Sequence, residues 1–442
     1  MTKTAADSGV VGLSTPVSRR KVLIGAGAAG LTLAGGSHGL FAAGSENVLK
    51  VGFVSPRTGA LASFGQTDGY VLDVARKALA KGVSIGGKTY EVQILDRDTQ
   101  SDPSRASQLA KSLINGDQVD LMLAVSTPEV INPVSDACEA AGVPCLSTVM
   151  PWEAWYFGRG AKPGQPSPFH WTYHFGFGVE EFYKTYVSQW KLLPTNRKVG
   201  VLYPNDADGN AIRAHLAPLL TKAGYTVVDP GPYEDGTTDY SAQIALFKRE
   251  KCEIFNTFPI PPDFAAFWRQ AAQQGLTRRV RICQVAKTGL FPDTVEALGN
   301  LGFNIASAAY WHKVFPYRSP LTGVSGVELA DGYEAASGRQ WTQQLGASMS
   351  LLDAGFAALQ ASADAKNKAA VAKALSTLKT TTMIGKVDFT SGPVPNVSPG
   401  PIIGAQWVKA RPGSKFKLDY LVTENATDPN VPVEAKLRPY NG

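Results

Sequence analysis

The chain has 442 residues, 44% of them apolar and 18% charged, which is enough for two domains and a sizeable core and excludes disorder, collagen and coiled coil. Lys3, Arg19, Arg20 and Lys21 face only Asp7 within the first 44 residues, so half of the formal charge of +6 belongs to that stretch. The remainder is too near neutral for the basic stripe that phosphate backbones require, which argues against nucleic acid as a partner.

The N-terminus supports two incompatible readings. Gly25-Ala-Gly27-Ala-Ala-Gly30 follows the apolar Val22-Leu23-Ile24 with the spacing of a dinucleotide-binding turn. A flavin or nicotinamide oxidoreductase using Gly25–Gly30 then needs a packed helix and an acid roughly 20 residues on to hold the ribose. Gly35, Gly36 and Gly39 would each weaken that helix by about 1 kcal/mol relative to Ala. The next strand ends in Ser55-Pro56, with no acid. The second reading is an export signal. Ser18-Arg19-Arg20-Lys21-Val22-Leu23 resembles the twin-arginine motif, with Val22 where Phe is usual, and no Asp, Glu, Lys or Arg occurs from Val22 to Ser45. Small residues at Ala42-Ala43-Gly44-Ser45 suit cleavage, and the glycines dilute the apolarity that an uncleaved anchor needs. A twin-arginine-type signal peptide over 1–44 and a mature protein in a periplasmic space are therefore expected. Cys138, Cys145, Cys252 and Cys283 then allow disulfides in three connectivities, with Cys138–Cys145 favoured by proximity and Cys252–Cys283, on two consecutive predicted strands, as the second pair, or four buried thiols.

From residue 47 onward, β-rich runs alternate with helical patterns, the signature of parallel sheets covered on both faces. Strands are predicted at 49–54, 90–95, 119–125 and 144–148, and helices at about 65–81, 103–115 and 128–141. Asp102 and Pro103 supply the N-cap and first residue of the second helix. A second set follows, with strands at 199–203, 226–228, 252–258, 280–285 and 305–310 and helices near 209–223, 240–251 and 262–274. The stretch from about 150 to 178 has no clean periodicity and reads as a connection. Helix returns at about 343–364 and 369–380, before a tail rich in Pro, Gly and β-branched residues. The fold class is α/β, with two doubly wound parallel-sheet lobes and a hinge. Ligands of such sheets bind at the carboxyl ends of the strands.

Those loops carry a resemblance. Val51-Gly-Phe-Val-Ser-Pro56-Arg-Thr-Gly59-Ala-Leu-Ala-Ser-Phe64-Gly65 resembles the first strand and loop of the leucine/isoleucine/valine-binding family of periplasmic solute receptors. Ala141-Gly-Val-Pro-Cys-Leu-Ser-Thr148, Val201-Leu-Tyr-Pro-Asn-Asp-Ala-Asp-Gly209, Ile384-Gly-Lys-Val-Asp-Phe389 and Gln406-Trp-Val408 are similar to later segments of that family, in the same order. The resemblance implies a periplasmic binding protein type I fold whose chain crosses between lobes three times. Lobe one would span about 45–172, completed by about 312–395, and lobe two about 173–311, completed by about 396–442. It also implies a receptor of an ABC importer that closes around a small organic ligand, works with an inner-membrane permease and is a monomer. A ligand-sensing module of the same fold is the alternative.

The family holds a ligand carboxylate with amides and hydroxyls of lobe one, and the matching positions are Ser126, Thr127, Ser147 and Thr148. Hydroxyls and free N–H groups at strand ends make a neutral anion cradle, although Thr127 also suits a plain helix cap. Phe64 matches an aromatic position of the family, while Trp152 and Tyr203 end or follow strands that face the cleft. Nine of the 26 residues from Trp152 to Phe177 are aromatic, which suggests an apolar wall. In lobe two, where amino-acid binders carry an acid for the ammonium, this chain has Lys287, and Asp208 can supply negative charge or cap a helix. A Lys287 pointing into the cleft would favour an anion. The expected ligand is an amino acid or an aromatic or aliphatic organic acid. His38, His170, His174, His215 and His312 show no metal spacing, and no Gly-x-Ser-x-Gly elbow is present. No enzyme activity, cofactor or metal is expected.

Overall fold

A computed structural model of the chain describes residues 47–441. The basic leader, the Gly25–Gly30 turn and the cleavage-site residues Ala42–Ser45 lie outside the described residues. Sixteen strands follow in order among the described residues: β1 Val48–Ser55, β2 Val83–Ile85, β3 Lys88–Asp98, β4 Leu121–Val125, β5 Cys145–Thr148, β6 Thr172–Gly176, β7 Lys198–Leu202, β8 Thr226–Val228, β9 Ile254–Thr257, β10 Ile282–Val285, β11 Ile305–Ala309, β12 Lys379–Thr382, β13 Gly385–Asp388, β14 Val397–Pro399, β15 Ile403–Lys409 and β16 Leu418–Glu424.

They form two seven-stranded sheets, each the centre of a lobe, and one small hairpin of β12 and β13. The first sheet runs β14-β6-β5-β4-β1-β3-β2 and is parallel except for β2. The second runs β16-β15-β11-β10-β9-β7-β8, with β15 and β16 antiparallel at one edge. Strands covered on both faces are apolar throughout, as in Leu121-Met-Leu-Ala-Val125, all of it buried. The helix Pro103–Ser112 starts where its signals place it, with the Asp102 carboxylate accepting from Arg105 N at 2.6 Å.

The sheet connections fix three crossings between the lobes. After β6 the chain enters the helix Val179–Trp190, which packs on β11, β15 and β16. Following β11 it returns to the helix Gln344–Ala361, buried against β4, β5 and the helix Asp68–Ala78. From β14 it passes directly into β15. Side chains tie these strands together: Phe177 stacks on Tyr310 at 5.5 Å, Gln343 accepts from Tyr310 N at 3.0 Å and donates to Tyr420 Oη at 3.1 Å, and Thr185 donates to Ile402 O at 2.7 Å.

The stretch 150–178 is more than the connection expected from its Pro and Gly content. It holds a short helix, Trp152–Tyr156, and β6, which joins the first sheet beside β5. Alternation fails to mark β6 because both of its faces are buried, including His174, whose ring bonds Ser147 Oγ at 2.9 Å and Met150 O at 3.0 Å. Most aromatic residues of this stretch pack inside lobe one. Arg159 is clasped there between the rings of Trp155 and Phe169 and paired with Asp136 at 2.7 Å. All four cysteines are buried free thiols, so neither expected pairing is present.

Candidate functional site

Between the lobes lies a small cavity of about 30 Å³, walled by Phe64, Phe177, Phe182, Phe258, Leu290 and Ile402 with Tyr310 and smaller apolar residues. The lobes meet above it. Phe64 of lobe one sits edge-on to Phe291 of lobe two at 4.8 Å, Gln66 donates to Asp293 at 3.3 Å, and Arg339 pairs with the same carboxylate. Three buried polar atoms on the lining have no partner among the described residues: Thr127 Oγ1, Tyr310 Oη and Asp208 Oδ1. Buried polar groups are almost always satisfied, so three such atoms around one apolar space point to a bound polar molecule.

The lobe-one wall is built at the ends of β4 and β5. Thr127 occupies the N-cap position of the helix Pro128–Ala141, yet its hydroxyl makes no capping bond. The simple helix-cap reading therefore fails, and the hydroxyl remains available together with the Glu129 N–H; Pro128 has no N–H, and those of Val130 and Ile131 are taken by Thr127 O. Ser126 beside it is fully buried with an unpartnered hydroxyl. Backbone strain marks the same rim. Ser126 has φ +135°, Val149 φ +89° and Lys287 φ +47°, each directly after, or within two residues of, a strand end. Non-glycine residues avoid this region, a β-branched one above all, and such strain gathers at ligand clamps.

The lobe-two wall is an ion cluster. Lys287 is buried, with Nζ 2.6 Å from Asp206 Oδ2 and 3.0 Å from Asp208 Oδ2. Asp206 is the true cap of the helix Ala207–Lys222, accepting from Gly209 N at 2.6 Å, so Asp208 is free of that role. Burial pulls the Lys287 ammonium down, but the carboxylates of Asp208, Asp206 and Glu129 outweigh it and hold the group well above its ordinary range. Desolvation pushes Asp208 up to about 7 against the pull of Lys287. Lys287 thus lines the cavity without offering it a free positive charge, contrary to the attraction for anions expected of it. What the cluster presents to the cavity is Asp208 Oδ1.

Four sequence-predicted positions, Phe64, Thr127, Asp208 and Lys287, come together on the lining, and Ser126 stands next to it. Four others do not line it. Ser147 is occupied by His174 and by Tyr173 O at 3.2 Å, and Thr148 ends β5 opposite Val125. Tyr203 donates to Asn256 Oδ1 at 2.7 Å inside lobe two, and Trp152 packs on Phe157 in a separate groove. Phe182, Phe258 and Tyr310 were not anticipated. Phe258 and Tyr310 each follow a parallel strand directly, and that position was the available signal.

Residues 48–398 match the periplasmic binding protein family. The Leu/Ile/Val-binding protein homolog 8 of Brucella abortus (strain 2308) is 24% identical over 273 residues, 58% of this chain and 61% of that protein, so the chain spans about three fifths of this relative's length. The solute-binding protein of an ABC transporter from Rhodopseudomonas palustris BisB5, in complex with 3,4-dihydroxybenzoic acid, superposes with a TM-score of 0.67 at 17% identity, covering 85% of this chain and 96% of that one. LivJ of Streptococcus pneumoniae, in complex with isoleucine, gives 0.64 at 16% identity over 85% and 99%. With most of its length matched, and both lobes built as in these structures, the chain belongs to the periplasmic binding protein family.

Proposed function

We propose that this protein is an exported receptor that holds a small carboxylate-bearing molecule between its lobes and delivers it to an ABC permease. The observation that carries this reading is the set of three unpartnered polar atoms around an apolar cavity. The hydroxyls of Thr127 and Ser126 and the Glu129 N–H at the start of the helix Pro128–Ala141 would take the carboxylate, because a helix N-terminus and neutral hydroxyls favour an anion. Asp208 Oδ1 and Tyr310 Oη would meet a donor at the other end, an ammonium or hydroxyl, and Phe64, Phe177 and Phe258 would enclose the body. Ligands of the structural relatives fit this pattern: isoleucine, 3,4-dihydroxybenzoate and 4-hydroxybenzoate each carry a carboxylate and a donor. Ser147, Thr148, Trp152 and Tyr203 support the cleft from behind in this reading. Three crossings and few contacts above the cavity suit a hinge whose open and closed forms are shifted by the ligand. Residues 1–44 would be the twin-arginine-type address, removed on export, leaving a monomer.

A thermal-melt screen tests the assignment. Isoleucine, leucine, 4-hydroxybenzoate and 3,4-dihydroxybenzoate are offered alongside dicarboxylates and sugars, and binding raises the Tm by mass action. At least one monocarboxylate with a donor is expected to raise it saturably. Stabilisation by sugars or by none of these acids overturns the reading. N-terminal sequencing of the exported protein is expected to begin near residue 45, and retention of Arg19-Arg20 would contradict the address.

A further inference from the structure

On a different face, a groove of about 480 Å³ runs between the lobes, with Trp152, Glu153 and Phe157 on one wall and Glu180, Glu181 and His215 on the other. Its chemistry is the reverse of an anion cradle. Glu153 is 6% exposed, accepts from Val179 N at 2.9 Å through Oε1, and leaves Oε2 buried without a partner. Among the described residues Glu153 has no ion-pair partner, and burial, with the like charges of Glu181 and Glu180, raises its carboxyl from 4.5 to about 7. Glu181 accepts from Gly178 N at 2.8 Å. Glu180 pairs with Lys184 at 2.9 Å, an exposed pair of a kind that contributes little and yields easily. Trp152 and Phe157, ring centroids 5.7 Å apart and both partly exposed, supply π faces beside these carboxylates.

A buried carboxyl with no counter-charge, which a bound cation would ionise, two further carboxylates and a partly open indole together select one class of molecule. We propose that this groove is a second binding site, for a small free organic cation with a guanidinium or ammonium head. The head would sit between Glu153 Oε2 and Glu180, against the Trp152 ring. Charge-assisted hydrogen bonds and cation–π attraction supply the affinity, and the absence of an anion cradle rejects carboxylates.

Agmatine is the probe, because it carries a guanidinium and an ammonium and no carboxylate that would compete for the cleft. Isothermal titration into the purified protein is expected to show saturable one-to-one binding. Glu153→Gln is expected to weaken it about tenfold or more, the usual loss when a charged hydrogen-bond acceptor is neutralised. Since Glu153→Gln also touches the Val179 amide, Glu180→Gln and Trp152→Leu, at exposed and half-buried positions, are measured too and are each expected to weaken binding several-fold. No saturable heat at millimolar agmatine, or unchanged binding in all variants that fold, overturns the proposal. Tighter binding of the blocked tripeptide acetyl-Gly-Arg-Gly-amide than of agmatine would assign the groove to a protein segment and overturn the free-cation reading.

Discussion

A buried ammonium is unfavourable by several kcal/mol unless its charge is met, and Lys287 is met twice, by Asp206 at 2.6 Å and Asp208 at 3.0 Å. Removing it leaves two buried carboxylates facing each other, so Lys287→Met is expected to lower the stability in urea by about 3 kcal/mol or more. Asp208→Asn keeps the shorter pair and a similar shape, and is expected to lose only about 1 kcal/mol. Equal losses from the two would show that the cluster is not organised around the Asp206 pair. Residue by residue, the sequence revealed where chemistry would lie and not which atoms were free. Ser126, Thr127, Asp208 and Lys287 were legible from their places after strands. That Thr127 does not cap its helix and Asp206 does, so that Asp208 is left over, depends on backbone angles that residue types do not disclose.

Among the elements, the helix Gln344–Ala361 shows how close packing sets sequence. It is buried along nearly its whole length, and a Cβ at Gly346 would run into the indole of the fully buried Trp311 at the second crossing. Helix propensity favours Gly346→Ala by about 1 kcal/mol, whereas overpacking a rigid core is unfavourable by about 1–3 kcal/mol. Packing is expected to win, and Gly346→Ala should lower the urea midpoint. An unchanged or higher midpoint would mean that Trp311 has room to move. Most strands and helices of both lobes were readable from apolar runs and caps. β2, β6 and β12 to β16 were not, since they are short or lie in the connection and the tail, where Pro, Gly and polar residues interrupt the pattern, and β6, β14 and β15 pair with partners distant in sequence.

For the whole molecule, burial of acids sets a pH dependence. Desolvation raises Asp68, Asp208 and Asp353 from 3.8 to about 7 and Glu153 from 4.5 to about 7. The folded chain keeps these four protons where the unfolded chain releases them. Their contribution is therefore fully present below the ordinary carboxylate range, and is lost as pH rises toward 7. His174 and His312 oppose this, because burial lowers them from 6.5 to about 3 and about 4, and the stability they lend above 6.5 is lost on acidification. Four groups outweigh two, so the Tm is expected to be higher near about pH 5.5 than near about pH 7.5. Asp353→Asn, remote from the cavity, should narrow the difference, and a Tm that rises with pH over this window would contradict the assignment. The two-lobed architecture was legible at this scale from two successive sets of alternating strands and helices. The cavity's polarity was not, because it arises where loops of both lobes converge. In the proposed function one end of it accepts a carboxylate, and the most direct measurement compares, by isothermal titration, the acid that stabilises the protein best with its own carboxamide. The acid is expected to bind one per chain and the amide about tenfold or more weakly, the loss expected for a charged hydrogen-bonding group. Equal affinity for acid and amide would contradict the account.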